Sequence, residues 1–208
     1  MKKSKRTKKS NFWKTKQIKD LYFKKSKILG YRSRASFKLI ELNDKFRFIK
    51  KKIDLLDLGA CPGGWSQVIS KINTEGKTLS VDIKDMEPIR NVSFLRCDIF
   101  QKDSKKRIID FFNGKIDVIV SDMAADTTGN KSLDSIRTNQ LCSEIIDFCT
   151  KILKPQGVLV SKVFMGTDFI EVKDLAKSTF KNVNFFKPKS SKDESKETYL
   201  HCKFLKTL

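Results

Sequence analysis

From residue 30 onward the sequence alternates between short apolar runs and longer segments whose apolar residues recur at helical spacing. Strands are predicted over residues 53–58, 78–83, 92–97, 116–120 and 158–163, and helices over 34–46, 65–72, 104–112, 135–153 and 169–180. Pro155 and Gly157 are expected to end the longest helix. Two closing strands, 183–186 and 198–204, are expected to pair antiparallel. The alternation favours an α/β fold, a mainly parallel sheet with an antiparallel last strand and helices on both faces.

Charged side chains stand at or just past the end of five of these apolar runs. They are Asp57, Asp82, Asp98, Asp122 and Lys162. In open α/β sheets, ligands bind beyond the carboxyl ends of the strands, so these side chains are expected to surround one site. Each aspartate taken singly could instead be a helix N-cap or a turn residue. Acids after three successive strands make that alternative weaker.

The turn after the first predicted strand reads DLGACPGGW over residues 57–65. Glycines let the backbone approach a ligand and adopt unusual dihedral angles, and a strand, a glycine turn and a helix form a nucleotide cradle. A dinucleotide fingerprint requires Gly-x-Gly-x-x-Gly, but Cys61 stands two positions after Gly59. No Lys-Ser/Thr pair follows, which also argues against a phosphate-binding P-loop. A nucleoside cofactor without a pyrophosphate therefore suits this turn better.

Two of the aspartates fit the adenosine half of such a cofactor. Asp82 ends the second strand, where a carboxylate can accept hydrogen bonds from both ribose hydroxyls. Asp98 ends the third strand and could accept a hydrogen bond from an adenine amino group. This placement serves NAD and S-adenosylmethionine alike, so the residues alone leave both cofactors open.

The chain carries a formal net charge of +20, and more than half of it lies in residues 1–29, which hold eleven Lys, one Arg and one Asp. Four aromatic residues interleave with this charge: Phe12, Trp13, Tyr22 and Phe23. Such a segment can clamp phosphates and stack on bases. A solvated tail that keeps the protein soluble is the alternative. We predict a basic, RNA-contacting and partly flexible N-terminal segment, 1–29, and one domain over residues 30–208.

The composition argues against several other classes of protein. No apolar run is long enough to span a bilayer, and no apolar core follows the basic N-terminus as in a signal peptide, so a cytoplasmic protein is expected. Five cysteines lack paired spacing and there is a single histidine, His201, so neither a disulfide framework nor a metal site is expected. His201 is interpreted as structural. Nothing indicates a stable protein partner, so a monomer is expected.

Five segments of the sequence, taken in order, resemble the FtsJ/RrmJ (RlmE) family of ribose methyltransferases. They cover residues 30–39, 57–67, 121–124, 162–164 and 195–199. The resemblance implies a Rossmann-like methyltransferase fold with S-adenosyl-L-methionine as cofactor. It implies a catalytic tetrad of Lys38, Asp122, Lys162 and Glu197. It also implies cofactor contacts from Gly63, Trp65, Asp82, Asp98 and Asp122, while Cys61 departs from the alanine usual in bacterial members.

Methyl transfer to a ribose hydroxyl needs a base that takes the hydroxyl proton, together with positioning of the oxygen. Lys162 is the candidate base because it interrupts an apolar run, and buried lysines are rare. Asp122 would orient it, and Lys38 would tune it or steady the ribose. The alternatives are a solvent-facing edge-strand lysine for Lys162, a surface lysine for Lys38, and a Glu197 that simply pairs with a neighbouring lysine.

Three functions remain open at this point. The resemblance implies 2′-O-methylation of a ribose in RNA, and a chain this compact resembles the bacterial type that modifies a uridine of 23S rRNA in the large ribosomal subunit. Related members act on tRNA or on mRNA caps. A non-catalytic ribosome assembly factor and a nicotinamide-dependent oxidoreductase are the other two possibilities. The +20 charge and the missing Gly-x-Gly speak against the oxidoreductase.

Overall fold

A computed structural model describes residues 21–166, 168–192 and 194–206 of the chain. Residues 1–20, most of the basic N-terminal segment, lie outside the described residues, so the predictions for them stay predictions. The described helices are α1 (Leu21–Ile28), α2 (Ala35–Phe46), α3 (Gly64–Ile72), α4 (Lys102–Phe112), α5 (Lys131–Ile152) and α6 (Phe169–Thr179). The described strands are β1 (Leu55–Leu58), β2 (Thr78–Asp82), β3 (Ser93–Arg96), β4 (Ile116–Ser121), β5 (Leu153–Phe164), β6 (Phe180–Phe186) and β7 (Glu197–Leu205).

The seven strands form one sheet in the order β3-β2-β1-β4-β5-β7-β6. The first five strands in this order pair parallel, and β7 runs antiparallel to both β5 and β6. The predicted α/β class, with a mainly parallel sheet and an antiparallel last strand, is confirmed. Because the parallel strands all point the same way, their carboxyl ends meet along one edge of the sheet.

The helices cover both faces of the sheet, as predicted, and each face has its own apolar core. Helices α2 and α3 pack on one face against side chains such as Leu55, Val118 and Val160. Helices α4, α5 and α6 pack on the other face. They contact the strand residues that directly follow those just named, such as Leu56 after Leu55 and Ile119 after Val118. In the central strands β1, β4 and β5, neighbouring residues such as Leu55 and Leu56 therefore enter opposite cores, which explains the apolar runs of these strands.

The longest helix and the strand after it differ from the prediction. Helix α5 begins at Lys131 because the Asn130 side chain caps it, accepting hydrogen bonds from two backbone N–H groups. Strand β5 begins at Leu153, directly after the helix, so Pro155 and Gly157 lie inside the strand rather than ending the helix. They lie in a bulge, since the pairing with β4 shifts register there and Pro155 need not donate to the ladder.

Helix α1 lies inside the predicted basic segment and packs on the domain. Its Tyr22 ring lies 5.5 Å from the ring of Phe37 on α2. The division at residue 29 therefore falls after a helix that contacts the folded domain. Among the helices of the described ranges, none has the length and apolar character needed to cross a membrane. All five cysteines are free thiols, and three of them, Cys142, Cys149 and Cys202, are buried.

Candidate active site

Four charged side chains that are far apart in the sequence meet at the carboxyl edge of the sheet. Lys38 lies on α2, Asp122 directly follows β4, Lys162 lies in β5 and Glu197 opens β7. The last strand brings Glu197 close because β7 pairs antiparallel with β5, which sets Glu197 opposite Phe164 and Tyr199 opposite Lys162. The four residues that the resemblance assigns to a tetrad thus form one cluster.

The cluster is held by short ionic contacts. The Lys162 Nζ atom lies 2.8 Å from an Asp122 carboxylate oxygen and also donates to the Asp122 backbone carbonyl, at 2.6 Å. The Lys38 Nζ atom lies 2.7 and 2.8 Å from the two carboxylate oxygens of Glu197. Lys162 and Glu197 approach to 4.0 Å and link the two pairs. Two ammonium groups therefore face two carboxylates in one connected network.

The alternative interpretation of Lys162, a solvent-facing lysine on an edge strand, is wrong. Its strand, β5, is paired on both sides, and the side chain is only 8% exposed. Lys38 and Glu197 are 12% and 11% exposed, so neither is an ordinary surface residue. Glu197 pairs with Lys38 rather than with a lysine close to it in the sequence. Buried charges of this kind are rare unless they are paired, as they are here.

Asp122 is kept ionised by its surroundings. Burial alone would raise the pKa of its carboxyl, but the charges of Lys162 and Lys38 and hydrogen bonds from Lys162 and Tyr199 together hold that pKa below its usual value. The Tyr199 hydroxyl donates to Asp122 at 2.6 Å. Burial and the nearby carboxylates raise the pKa of Tyr199 well above its usual value, so the hydroxyl stays a donor.

A cleft of about 500 Å³ opens beside this cluster, over the carboxyl ends of β1 to β4. Its walls include Gly59, Asp82, Asp98, Asp122 and Met123. Three of the aspartates predicted to bind cofactor therefore line one cavity, and Asp122 belongs both to the cleft and to the ionic cluster. Asp57, the remaining strand-end aspartate, is buried beneath the cleft, where Ser66 donates to it at 2.6 Å.

The cleft aspartates also hold the turns in which they lie. Asp82 accepts hydrogen bonds from the backbone N–H groups of Cys61 and Lys84, at 2.8 and 2.9 Å. Asp98 accepts one from Phe100, at 2.9 Å. The turn-residue interpretation and the binding interpretation are therefore compatible, since a carboxylate oxygen has more than one lone pair. The backbone N–H of residue 61 fixes Asp82 whatever its side chain, while the Cys61 thiol itself donates to the Asp85 backbone carbonyl at 3.4 Å.

The glycine turn is closely packed, and two of its glycines also have left-handed backbone angles. A Cβ at Gly59, where φ is +71°, would lie 2.5 Å from the Met123 side chain. At Gly63, where φ is +106°, it would lie 2.8 Å from the guanidinium of Arg32. Arg32 donates to the backbone carbonyls of Pro62, Glu87 and Pro88 and so braces the turn from outside. Any larger residue would push the turn out of place.

Gly63 and Trp65 are not among the residues that line the cleft. The Trp65 side chain is 3% exposed, donates to the Ala35 carbonyl at 2.9 Å and packs against Tyr199 at 5.7 Å. It therefore supports α2, which carries Lys38, and the tyrosine that donates to Asp122. The predicted cofactor contacts of Gly63 and Trp65 stay predictions, and a contact by Trp65 would have to come from its backbone.

Three side chains that hold the site were missed in the sequence. They are Arg32, Ser191 and Tyr199. Ser191 donates to a Glu197 oxygen at 2.9 Å. Tyr199 could have been found, because it follows Glu197 by two residues in a strand and so shares its face. Ser191 carried no such signal, since it lies in the loop before β7. Within the described ranges, no cluster of three or more His, Cys, Asp or Glu side chains could hold a metal ion.

Comparison with known proteins identifies the family to which the chain is related. Residues 31–205 match the family model of the FtsJ-like methyltransferases. The chain is 44% identical over 197 residues to a ribosomal RNA large subunit methyltransferase E from Pelagibacter ubique, covering 95% of this chain and 97% of that one. A protein of the same name from Rickettsia akari is 43% identical over 202 residues, covering 94% and 89%.

A solved structure is similar as well. A chain described as a ribosomal RNA methyltransferase from Plasmodium falciparum superimposes with a TM-score of 0.76 at 34% identity, covering 84% of this chain and 98% of that one. The family model covers nearly the whole described domain, and the relatives cover 94–95% of the chain. This chain belongs to the FtsJ-like methyltransferase family.

Proposed function

We propose that this protein transfers a methyl group from S-adenosylmethionine to the 2′-hydroxyl of a ribose in RNA, at a uridine of 23S rRNA in the large ribosomal subunit. One observation carries the proposal: Asp122 belongs at once to the cleft and to the cluster of Lys38, Lys162 and Glu197. A cofactor in the cleft and a hydroxyl at the cluster would meet beside a single side chain.

The residues that line the cleft fit S-adenosylmethionine. Asp82 and Asp98 offer carboxylate oxygens for the ribose hydroxyls and the adenine amino group, and Gly59 leaves room where a Cβ would collide with Met123. When bound, the cofactor supplies a methyl group activated on a sulfonium sulfur. No pyrophosphate-binding glycine pattern is present in the turn at 57–65, so a dinucleotide fits less well.

The ionic cluster supplies the acid–base chemistry and the positioning. The Lys162 Nζ atom, which Asp122 orients, would take the proton of the 2′-hydroxyl after its ammonium group has released a proton to solvent. Lys38 and Glu197 form a pair at 2.7 Å that can donate to and accept from the ribose. Most of the rate enhancement then comes from holding the hydroxyl oxygen in line with the methyl group.

An RNA substrate fits the charge of the protein. A net charge of +20 implies a polyanionic partner, and ribosomal RNA is named in the relatives from Pelagibacter ubique and Rickettsia akari. Residues 1–29 would add phosphate contacts and base stacking around the site. The protein would act in the cytoplasm, as a monomer on the large subunit or its RNA.

A comparison of RNA substrates tests the proposal. The purified protein is incubated with labelled S-adenosylmethionine and, separately, with large ribosomal subunits, tRNA and capped mRNA. We expect label only in the large-subunit RNA, and none with Lys162→Met protein of equal folded content. Label in tRNA or in the cap alone would contradict the proposed substrate. If neither protein labels any RNA, the chain is a binding factor instead.

A further inference from the structure

A second cavity, of about 240 Å³, lies at the opposite edge of the sheet from the cleft. It is bounded by the end of α2, the starts of β4 and β5, and the far end of β7. None of the residues assigned to the cleft or to the ionic cluster lines it. It is therefore separate from the site described above.

One wall of this cavity is aromatic. The rings of Phe46 and His201 stack in parallel, with centroids 4.0 Å apart and planes 5° apart, and Phe48 lies 6.2 Å from His201. His201 is 6% exposed, and its Nδ1 atom has no hydrogen-bond partner among the described residues. A buried polar atom without a partner is uncommon in folded proteins.

The rim of the cavity is basic. Arg47, Lys50, Lys154 and Lys203 line it together with a single acid, Asp117. Asp117 is already paired with Lys154, at 2.7 Å. Among the described residues, the side chains of Arg47, Lys50 and Lys203 have no carboxylate partner. Three uncompensated cations beside an aromatic wall match a flat base with its phosphates, the combination that single-stranded RNA presents.

The cavity lies within reach of an RNA strand whose ribose is at the ionic cluster. His201 lies four positions after Glu197 in β7, which is about 14 Å along a strand. Phe46 lies eight positions after Lys38 in α2, which is about 12 Å along a helix. The strand and the helix thus give a similar separation between the ionic cluster and the cavity. It corresponds to roughly four stacked nucleotides at about 3.4 Å each.

We propose that this cavity, here called the distal pocket (Phe46, Arg47, Lys50, Lys154, His201 and Lys203), binds an unstacked nucleotide of the RNA substrate that flanks the methylated ribose. The inference rests on the proposed function, in that RNA is the substrate. The base lies against the Phe46–His201 pair, and the flanking phosphates contact Arg47, Lys50 and Lys203. The pocket thereby fixes the position of the strand on the enzyme.

The first test measures binding, not methylation. Affinity for a 23S rRNA fragment is measured against salt concentration for the parent protein and for Lys50→Gln/Lys203→Gln. Losing two phosphate contacts should reduce the slope of log K against log salt by about 1.4, because each contact to a single strand contributes about 0.7. The matched control is Lys106→Gln/Lys177→Gln, two exposed lysines on the other face of the sheet, which should leave the slope unchanged.

A second measurement locates the base. RNA carrying 5-bromouridine is irradiated on the parent protein, and the crosslinked peptides are identified. We expect crosslinks at Phe46 or His201. Equal slopes for the two double variants, or crosslinks only at other sites, would each overturn the proposal. Lost affinity for assembled subunits but not for naked RNA would also overturn it, because a ribosomal protein would then be the partner.

These outcomes are separable from the proposed function. If the parent protein methylates no RNA but the slope and the crosslinks appear as expected, the methyltransferase assignment fails and the distal pocket stands. If the parent methylates rRNA and the double variant binds like its control, only the distal pocket fails.

Discussion

The Nζ atom of Lys38 lies 2.7 Å from a carboxylate oxygen of Glu197, although 159 positions separate the two residues in the chain. Strand β7 makes this contact possible, because it is inserted between β5 and β6 and runs antiparallel to both. Its first residue thereby reaches the edge where the parallel strands end. The cluster depends on this reversal of strand direction.

Replacing the proposed base should stop methyl transfer while cofactor binding persists. We expect Lys162→Met to lower kcat by roughly 100- to 10,000-fold, the usual contribution of general acid–base catalysis. Because Asp122 then loses its closest cation, the melting temperature should also fall. Activity is measured on rRNA, cofactor binding by calorimetry and folding by circular dichroism. Lys106→Met is the control, and near-normal activity of Lys162→Met would exclude Lys162 as the base.

The Lys38–Glu197 pair should behave as one unit. We expect Lys38→Met and Glu197→Gln each to lower kcat/KM by about 10- to 100-fold, and the double variant to lose little more than the worse single variant. The physical reason is that each substitution already breaks the same contact. A double-mutant cycle of kcat/KM measures the coupling. Purely additive losses would mean that the two side chains act separately.

S-adenosylhomocysteine should stabilise the protein, and NAD should not. At a ligand concentration of 100 times Kd, the expected stabilisation is about 2.7 kcal/mol, seen as a higher melting temperature. Asp82→Asn should reduce this shift because Asp82 lines the cleft and fixes the Cys61 backbone. Asp103→Asn, an exposed residue of α4, is the control and should keep the full shift. A larger shift with NAD would indicate a dinucleotide site.

Asp57 should make the protein less stable as pH rises. Burial, with smaller effects from Asp122 and Asp82, raises the pKa of Asp57 to about 7, against hydrogen bonds from Ser66 and Ser80 that lower it. A carboxyl whose pKa is raised on folding contributes stability that is fully present below its unfolded pKa, near 4, and lost as pH rises to about 7. Asp57→Asn removes the ionisation and should flatten this dependence.

The measurement is the melting temperature of Asp57→Asn and of the parent protein between pH 4 and 8. His201 acts in the opposite direction, because burial and Lys203 lower its pKa to about 4, so its contribution is lost as pH falls below about 6.5. The difference between the two proteins cancels this contribution. Asp110→Asn, exposed on α4, is the control. If the melting temperatures of Asp57→Asn and the parent change with pH in parallel, the raised pKa of Asp57 is contradicted.

Removing residues 2–20 should weaken RNA binding and leave the cofactor site intact. The deletion removes nine of the twelve basic residues of the segment 1–29, yet keeps α1, whose Tyr22 packs against Phe37. We expect a lower affinity for rRNA and a smaller salt slope, with an unchanged response to S-adenosylhomocysteine. Filter binding and thermal shift measure the two properties. An unchanged affinity at moderate salt would mean that this segment is only a solubilising tail.

The sequence predicted the parts of this protein that depend on local pattern. Alternating apolar runs predicted the sheet and helices, and strand-end acids such as Asp82 and Asp98 predicted the position of the cleft. The limits of α5 and β5 were wrong because side-chain capping by Asn130 and a bulge around Pro155 override the helix-ending signal. These features depend on contacts that a local pattern does not encode.

The connections within the site depend on tertiary structure in the same way. Lys38 and Glu197 were named through the resemblance, but their mutual contact follows only from the insertion of β7. The bond from Ser191 to Glu197 likewise needs the folded loop before β7. The distal pocket joins the end of α2 to the end of β7, so no sequence window contains it.

The position of the transferred methyl group tests the central claim most directly. Large-subunit RNA labelled by the parent protein is digested to nucleosides, and the labelled nucleoside is identified and mapped. The account predicts 2′-O-methyluridine at one position of 23S rRNA, absent after reaction with Lys162→Met. A methyl group on a base, or on the ribose of a different class of RNA, would contradict it.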